Sequence, residues 1–326
     1  MRIGKLSNRD LQRLVLDRLP KSHRFVTSGP AVGQDCSAIR FGDGQVVLST
    51  DPITGATSDI GRLAVLVNVN DIATCGIRPT ALLLTIIVPP DYTTDELRQA
   101  IDQAAATAEK LNVSIVGGHT EVSDAVNRMI ISSTAIGFTY GNQIIRSCDA
   151  LADDTLVMTK TAGLEGTVIL AADQAERLQE HLSAEEFLEA NKLLDQISVL
   201  EEGSCGADLG VHAMHDATEG GILGAVWEMA EASGLGCIVE ADKIPVHPLT
   251  EKICRILELD PLRLIASGSM IMATSDPEIL VTELTVRGIN GKIIGRLTEN
   301  RDRILMLEGK ELELPPPGSD ELYKML

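Results

Sequence analysis

Four acidic residues in the first half of the chain share a local setting. They are Asp35 in VGQDCSA, Asp51 in LSTDPIT, Asp71 in VNVNDIATCG and Glu121 in VGGHTEV. Each stands beside, or at the end of, an apolar element, often next to Gly, Thr or Ser. Carboxylates in such places suit magnesium, which takes one or two carboxylates together with phosphate oxygens. An acidic surface can approach a nucleotide phosphate only through such a cation. Taken singly, three of the four have ordinary readings. Asp35 could hold a turn after Gly33, Asp51 before Pro52 is a common turn starter, and Glu121 could be a surface charge. Asp71 is different. It sits among Leu63, Leu66, Val67, Val69, Ile72 and Ala73, where a carboxylate is costly unless it is paired or holds a metal.

Further candidates follow. Gly117 and Gly118 after VSIV permit close backbone approach, and N–H groups there could hold an anion. Lys160 in MTKTAGLEGT could neutralise phosphate as a point charge, or be an exposed strand-end lysine. In MHDATEGG (214–221), Asp216 and Thr218 could cap the following helix. The Gly220-Gly221 pair there is costly in a first turn and hints at close approach by a ligand or another chain. His119 and His215 could act as acid or base near neutral pH, although a lone histidine is more often structural.

Several elements must position these groups. QVVLSTDPI (45–53), ALLLTIIV (81–88), VSIVGG (113–118) and RMIISSTAIGF (128–138) read as strands. TTDELRQAIDQAAATAEKL (93–111) reads as a helix, with Thr93 or Thr94 as its cap. Val67 to Asn70 alternates like a strand. Over a longer window, Ala64, Asn68, Asp71 and Cys75 fall on one helical stripe. Ser58 and Asp59 offer a start, and Gly76 with Pro79 a stop, so a helix of about four turns is expected. The polar stretch CDALADDT marks a boundary between domains 1–150 and 151–326. TLVMTKTAG (155–163) opens the second with a strand. Helices near 184–202 and 219–233, strands at 236–242 and 269–274, a helix at DPEILVTELTVRG and two short strands follow. The Pro-rich acidic tail from residue 309 is expected to be extended or mobile.

Composition narrows the class. The chain has 326 residues, 44% hydrophobic but only 2% aromatic, and a formal net charge of -19. Neither a basic patch nor stacking aromatics is present, which argues against nucleic acid as a partner and against an anionic membrane. The six cysteines form no C-x-x-C pair, and the N-terminus has no apolar signal core. A soluble cytoplasmic protein is expected.

VGQDCSAI, STDPIT, NVNDIATCGIRP, GGHTEV, STAIG, TKTAGLEGT, MHDATEGGILGA and LIASGSM occur in the order seen in the AIR synthase (PurM-like) superfamily. The set resembles most closely the hydrogenase-maturation HypE-like branch, through GGHTEV and MHDATEGG, and spans residues 30 to 300. The resemblance implies an α/β and α+β two-domain fold whose N-terminal domain dimerises through a barrel-like sheet. It implies ATP and Mg2+ as cofactors. Asp35, Asp51, Asp71 and Glu121 would lie around the metal, with Asn68, Gly117, Gly118, Thr134, Lys160 and Glu219 around the nucleotide. His119, Glu121 and Asp216 would be catalytic.

The resemblance also implies a reaction: phosphorylation or dehydration of a small amide- or carbamoyl-type acceptor by a homodimer, with a maturation protein as a further partner. In the hydrogenase branch a tail cysteine carries the carbamoyl group. Here the sequence ends SDELYKML and the last cysteine is Cys254, so a changed acceptor is expected. Two other readings stand beside this one. They are a small-molecule kinase resembling thiamine-monophosphate kinase, and a nucleotide-binding dimer without turnover.

Overall fold

A computed structural model describes residues 6–20, 23–54, 59–140 and 144–325. The first sheet holds six strands, β1 (Val26–Ser28), β2 (Ser37–Phe41), β3 (Gly44–Ile53), β4 (Pro79–Val88), β5 (Ser114–Val122) and β6 (Ile130–Tyr140), in the order β1-β2-β3-β6-β4-β5. Only β4 and β5 pair in parallel. The second sheet holds β7 (Thr155–Thr159), β8 (Ala213–Asp216), β9 (Gly236–Glu240), β10 (Met270–Thr274), β11 (Gly291–Thr298), β12 (Arg303–Leu307) and β13 (Lys310–Glu313), in the order β13-β12-β9-β11-β7-β10-β8.

Ten helices accompany them among the described residues. They are α1 (Asn8–Leu14), α2 (Ile60–Thr74), α3 (Thr94–Lys110), α4 (Leu164–Asp173), α5 (Ala175–Leu178), α6 (Ala184–Leu193), α7 (Leu200–Leu209), α8 (Gly221–Ala232), α9 (Pro248–Leu257) and α10 (Pro277–Val286). None is long and apolar enough to cross a membrane.

α2 is the expected helix, and it explains why its period was ambiguous. Every residue in it except Arg62 is buried. It packs on β3 and β6 on one side and on α7 and β8 of the second half on the other. A helix buried all round has no polar stripe to reveal a 3.6-residue period. Asp59 is its N-cap residue, at φ 53°, and makes no capping bond; Ser58, the other proposed start, lies outside the described residues. α3 carries the capping box on Thr93 and Glu96.

Three expectations need correction. β5 continues through the glycines to Val122, so Gly117 and Gly118 lie within a strand and not in a loop after it. The reason is local: the β4–β5 register shifts at Leu82–Leu83. Gly118 sits at φ 147°, where an added Cβ would lie 1.8 Å from the Leu84 carbonyl oxygen. The helix expected over 184–202 breaks into α6 and α7. Between them Asn70 on α2 donates to the Ile197 carbonyl (2.7 Å) and accepts from the Val199 N–H (2.9 Å). The tail is not a loose extension. It adds β13 to the second sheet, buries Leu314 and packs back through Asp320, Glu321 and Leu322.

The two sheets differ in how they are covered. In the second, β8 and β10 are buried throughout. The first has α2 and α3 on one face only. Its other face leaves Phe41 (69% exposed), Phe138 (46%), Tyr140 (76%) and Val116 (60%) open, and all nine residues of the edge strand β5 are exposed.

Candidate functional site

A cleft of about 670 Å³ lies where the two halves meet. That size suits a small-molecule or cofactor site. Asp35, Asp51, Asp71, Asp216 and Glu228 all line it, with a single imidazole, His215. They arrive from separate elements. Asp35 is on the loop before β2, Asp51 on β3, Asp71 on α2, His215 and Asp216 at the end of β8, and Glu228 on α8. Leu11 of α1 and Val15, Leu16 and Leu19 just after it form an apolar wall.

Each acid is fixed by its neighbours. Asn68, fully buried, accepts from the Asp51 N–H (2.8 Å) and donates to the Asp51 carbonyl (3.3 Å). It thereby locks the strand that carries Asp51 onto α2. Asp71 is 4% exposed and accepts a short hydrogen bond from the Ser49 hydroxyl. Its backbone carbonyl accepts from the Thr74 hydroxyl (2.7 Å) and the Cys36 thiol (2.9 Å). Burial pushes the Asp71 carboxyl well above the usual range; Asp216, Asp51 and Asp35 push the same way, and the Ser49 bond only partly opposes them.

His215 is held at both ring nitrogens. Nδ1 lies 2.7 Å from Asp35 Oδ1, and Nε2 lies 3.3 Å from Glu228. Burial alone would pull this imidazole down. Asp35 and Glu228 outweigh it and raise its proton affinity well above the ordinary value. The Ser147 hydroxyl also donates to Asp35 (3.2 Å). Thr134 lines the cleft from β6 and donates to the Thr50 hydroxyl (3.0 Å).

Other anticipated residues lie elsewhere. His119 and Glu121 pair with each other at 3.1 Å on the exposed edge strand β5, outside the lining of the cleft. Gly117 and Gly118 are on the same strand, so within one chain Glu121 does not join the three aspartates. Lys160 does not reach the cleft. Its ammonium lies 2.7 Å from Glu202 and donates to the carbonyls of Gln196 (2.7 Å), Ser198 (2.7 Å) and Gly268 (3.0 Å). Burial lowers its proton affinity against the pull of Glu202. In this position it fastens the α6–α7 junction.

Glu219 accepts from the Tyr323 hydroxyl (2.8 Å), and the Gly220 N–H donates to Asp320 (2.7 Å). A Cβ on Gly221 would sit 2.6 Å from the Leu262 carbonyl oxygen. The close approach expected at Gly220-Gly221 is therefore made by the chain's own tail and its 262–264 segment.

Three participants were not singled out from sequence. Glu228 and Ser147 reach His215 and Asp35 only through tertiary packing, and no local pattern marks them. Cys36 adjoins Asp35 and stood in plain view, yet nothing local says that its thiol reaches α2.

The donor set fits a hard divalent cation. Five carboxylates face a cavity with one imidazole among them, so a phosphate could enter only with added positive charge. Asp35, Asp51, Asp71 and Asp216 are the residues that would hold it.

Two family models match this chain, the AIR synthase related protein N-terminal domain over residues 33–139 and its C-terminal domain over 152–308. The chain belongs to the AIR synthase related family. It is 32% identical over 309 residues to a putative hydrogenase expression/formation protein of Methanocaldococcus jannaschii, covering 91% of this chain and 90% of that one. It is 27% identical over 282 residues to carbamoyl dehydratase HypE of Escherichia coli, covering 84% and 81%.

Among solved structures, AaThiL complexed with AMPPCP and TMP superposes with a TM-score of 0.77 at 18% identity, over 97% of each chain. HypE in complex with ATP gives 0.69 at 23%, over 97% and 94%. The HypE-HypF complex gives 0.76 at 20%, over 94% and 99%. At those identities the likeness establishes the two-domain PurM-like fold of the family.

Proposed function

We propose that this protein is an ATP- and Mg2+-dependent enzyme that activates a small amide- or carbamoyl-type acceptor, in the manner of the carbamoyl dehydratases it resembles. The observation that carries this reading is the convergence of Asp35, Asp51, Asp71 and Asp216 on one cleft from both halves of the chain. The HypE relative in Escherichia coli and the HypE structure bound to ATP support it.

When bound, magnesium and ATP would supply a phosphoryl group whose transfer turns the acceptor oxygen into a leaving group. The chain's own residues do the rest. Asn68 holds Asp51 in register against Asp71. Ser49 orients the Asp71 carboxylate. Asp216, at the end of β8 in the second sheet, faces the same cleft. The apolar wall after α1 limits water. The six thiols of this sequence are buried or half-buried, and burial pushes Cys254 up to about 12. That supports an acceptor brought to the cleft from outside these thiols.

The reading includes a homodimer joined through the first sheet. The open apolar face and the unpaired edge of β5 support this, because an exposed edge strand is normally covered or paired. A second copy there would bring His119 and Glu121 to a shared seam, where they could serve their anticipated roles. A protein partner that supplies the acceptor is consistent with the HypE-HypF complex. Phe138→Asp on the open face is expected to convert the dimer to monomer in sedimentation velocity at micromolar concentration. A wild-type chain that sediments as a monomer would count against this arrangement.

The reaction is tested by magnesium-dependent ADP release with a panel of amides, carbamoyl compounds and alcohols. Release with carbamoyl compounds is the expected result. Release only with alcohols favours a kinase, for which the likeness to AaThiL is the supporting observation. Tight ATP binding without release under any acceptor would point to a nucleotide-binding dimer.

A further inference from the structure

We infer that the groove between α1 and α8 is a docking surface for an acidic segment of a protein partner. What that partner brings rests on the reading of an acceptor supplied from outside. The surface itself stands on its own geometry.

The first support is a local excess of positive charge. Residues 1–25 hold seven Lys and Arg against two Asp, in a chain whose net charge is -19. The overall charge conceals this excess, so the absence of a basic patch read from composition is corrected here. Arg9 and Arg13 line the groove from α1, with Gln12 between them. Arg9 has no side-chain ion pair among the described residues. Arg13 meets Asp10 at 3.3 Å, with both side chains exposed, a pairing that holds little energy. α1 buries none of its residues.

The second support is a built groove of about 700 Å³. Trp227 and Glu231 line it from α8, one turn apart, and Pro316 and Pro317 line it from the tail. Pro317 packs against Gly220, where a Cβ would lie 3.1 Å from it, so the tail is held there. The Arg303 guanidinium lies 4.6 Å from the centre of the Trp227 ring and pairs with Glu231. That pairing neutralises the carboxylate of the groove and leaves Arg9 and Arg13 to face an incoming anion.

The chemistry favours a polypeptide. Arginines beside an indole and prolines suit spaced carboxylates carried among apolar side chains. A continuous phosphate chain or an anionic lipid surface would also meet acids. An adjoining recess shares Trp227 and Pro316, and Asp302, Glu311 and Glu313 line it. The acidic remainder of the chain repels an acidic segment and steers it to the arginines. A partner docked here sits beside the cleft. Asn8 lines both the groove and the cleft, and Glu228 lines the cleft one residue from Trp227.

Trp227 is the single tryptophan of the chain, so its emission reports the groove directly. The probe is a synthetic peptide of about 15 residues with Glu and Leu at helical spacing, titrated into the full chain at low salt. A saturable change in Trp227 emission is expected. Combining Arg9→Ala with Arg13→Ala is expected to weaken the peptide about tenfold or more, as is replacing every Glu of the peptide by Gln. Raising the ionic strength to about 0.5 M should weaken it likewise. Circular dichroism checks that the double variant folds. Equal binding of the Gln peptide, or full binding by the folded double variant, would overturn the surface. A larger Trp227 response to phosphatidylserine vesicles or to oligothymidylate than to the acidic peptide would also overturn it, as would self-association of the chain abolished by the same two substitutions. Calorimetry with Mg2+-ATP on the wild-type protein separates the two readings. Lost nucleotide binding removes the proposed function and leaves the surface, while lost peptide binding with intact nucleotide binding removes only this inference.

Discussion

Two groups of buried and half-buried carboxylates lie near the turn that carries Gly220. They have similar composition and opposite designs. In the cleft, Asp35, Asp51, Asp71 and Asp216 face one another across open space, and the nearest positive group is a single imidazole. Under the tail, Glu165, Glu219 and Asp320 are packed against protein. Asp320 accepts from the Gly220 and Leu322 N–H groups (2.7 and 2.9 Å), and Tyr323 donates to Glu219. Burial raises Glu165 to about 7 and Asp320 to about 6. A buried acid can ionise with a cation or stay protonated among its neighbours. The cleft leaves room for the former, and the packing around Glu165 leaves only the latter.

The largest effect should come from breaking the first design at the buried acid of α2. Asp71→Asn removes a charge that three other carboxylates already disfavour. The nucleotide-free protein is expected to be as stable as the wild type or more so, while affinity for Mg2+-ATP falls about a thousandfold, or roughly 4 kcal/mol. Calorimetry and thermal melts on the same sample check both halves. Unchanged affinity would remove Asp71 from the metal setting.

The corresponding change in the second group should act on stability alone. Glu165 is 3% exposed and titrates near 7 in the folded protein against 4.5 for an ordinary glutamate. A raised folded-state value means that the native state holds its proton more tightly. Its stabilising share is complete below about pH 4.5 and is lost as the pH rises through about 7. Glu165→Gln is therefore expected to raise stability at pH 8 by about 3 kcal/mol and to flatten the loss between pH 5 and 8. Mg2+-ATP affinity should not move. Denaturant melts across that pH range supply the check, and an unchanged slope would show that the carboxyl is not isolated from water.

The sequence carried much of this, and unevenly. Asp71 was visible as a carboxylate in an apolar run, and α2 proved to be the helix that its longer window suggested. Asp35, Asp51 and Asp216 stood out beside turns and apolar elements, and the family order of motifs gave them a shared role. The rest depended on contacts between distant segments. Lys160 ends a strand in a motif that suggests phosphate, yet the carbonyls that hold it come from residues 196, 198 and 268. Gly118 suggests a ligand cradle, but the approaching atom is the Leu84 carbonyl of the neighbouring strand. The tail looked mobile because Pro and acidic residues dominate it, and its fixed points are a glycine N–H and a glutamate a hundred residues earlier. Composition reports what a segment can tolerate, not which donor another segment will present to it.

The smallest expected effect is also the most discriminating, because it lies on the border between the two groups. Asp320→Ala leaves the Gly220 N–H without its carboxylate and loosens the tail at Leu322. The lost hydrogen bonds cost about 1–2 kcal/mol. That cost should be felt most at pH 5, below the folded-state value of about 6, where the wild-type carboxyl holds its proton at no electrostatic cost. At pH 8 removing a buried charge offsets part of the loss, so the variant should approach wild-type stability. Hydrogen exchange at Leu322 and Tyr323 reads the local release. Glu219 stands three residues from Asp216, and its Tyr323 contact should weaken with the tail. If the two groups are separate designs, Mg2+-ATP affinity stays within a factor of two. A tenfold change would mean that the tail sets the position of Asp216, and the group under the tail would then act as a control on the cleft.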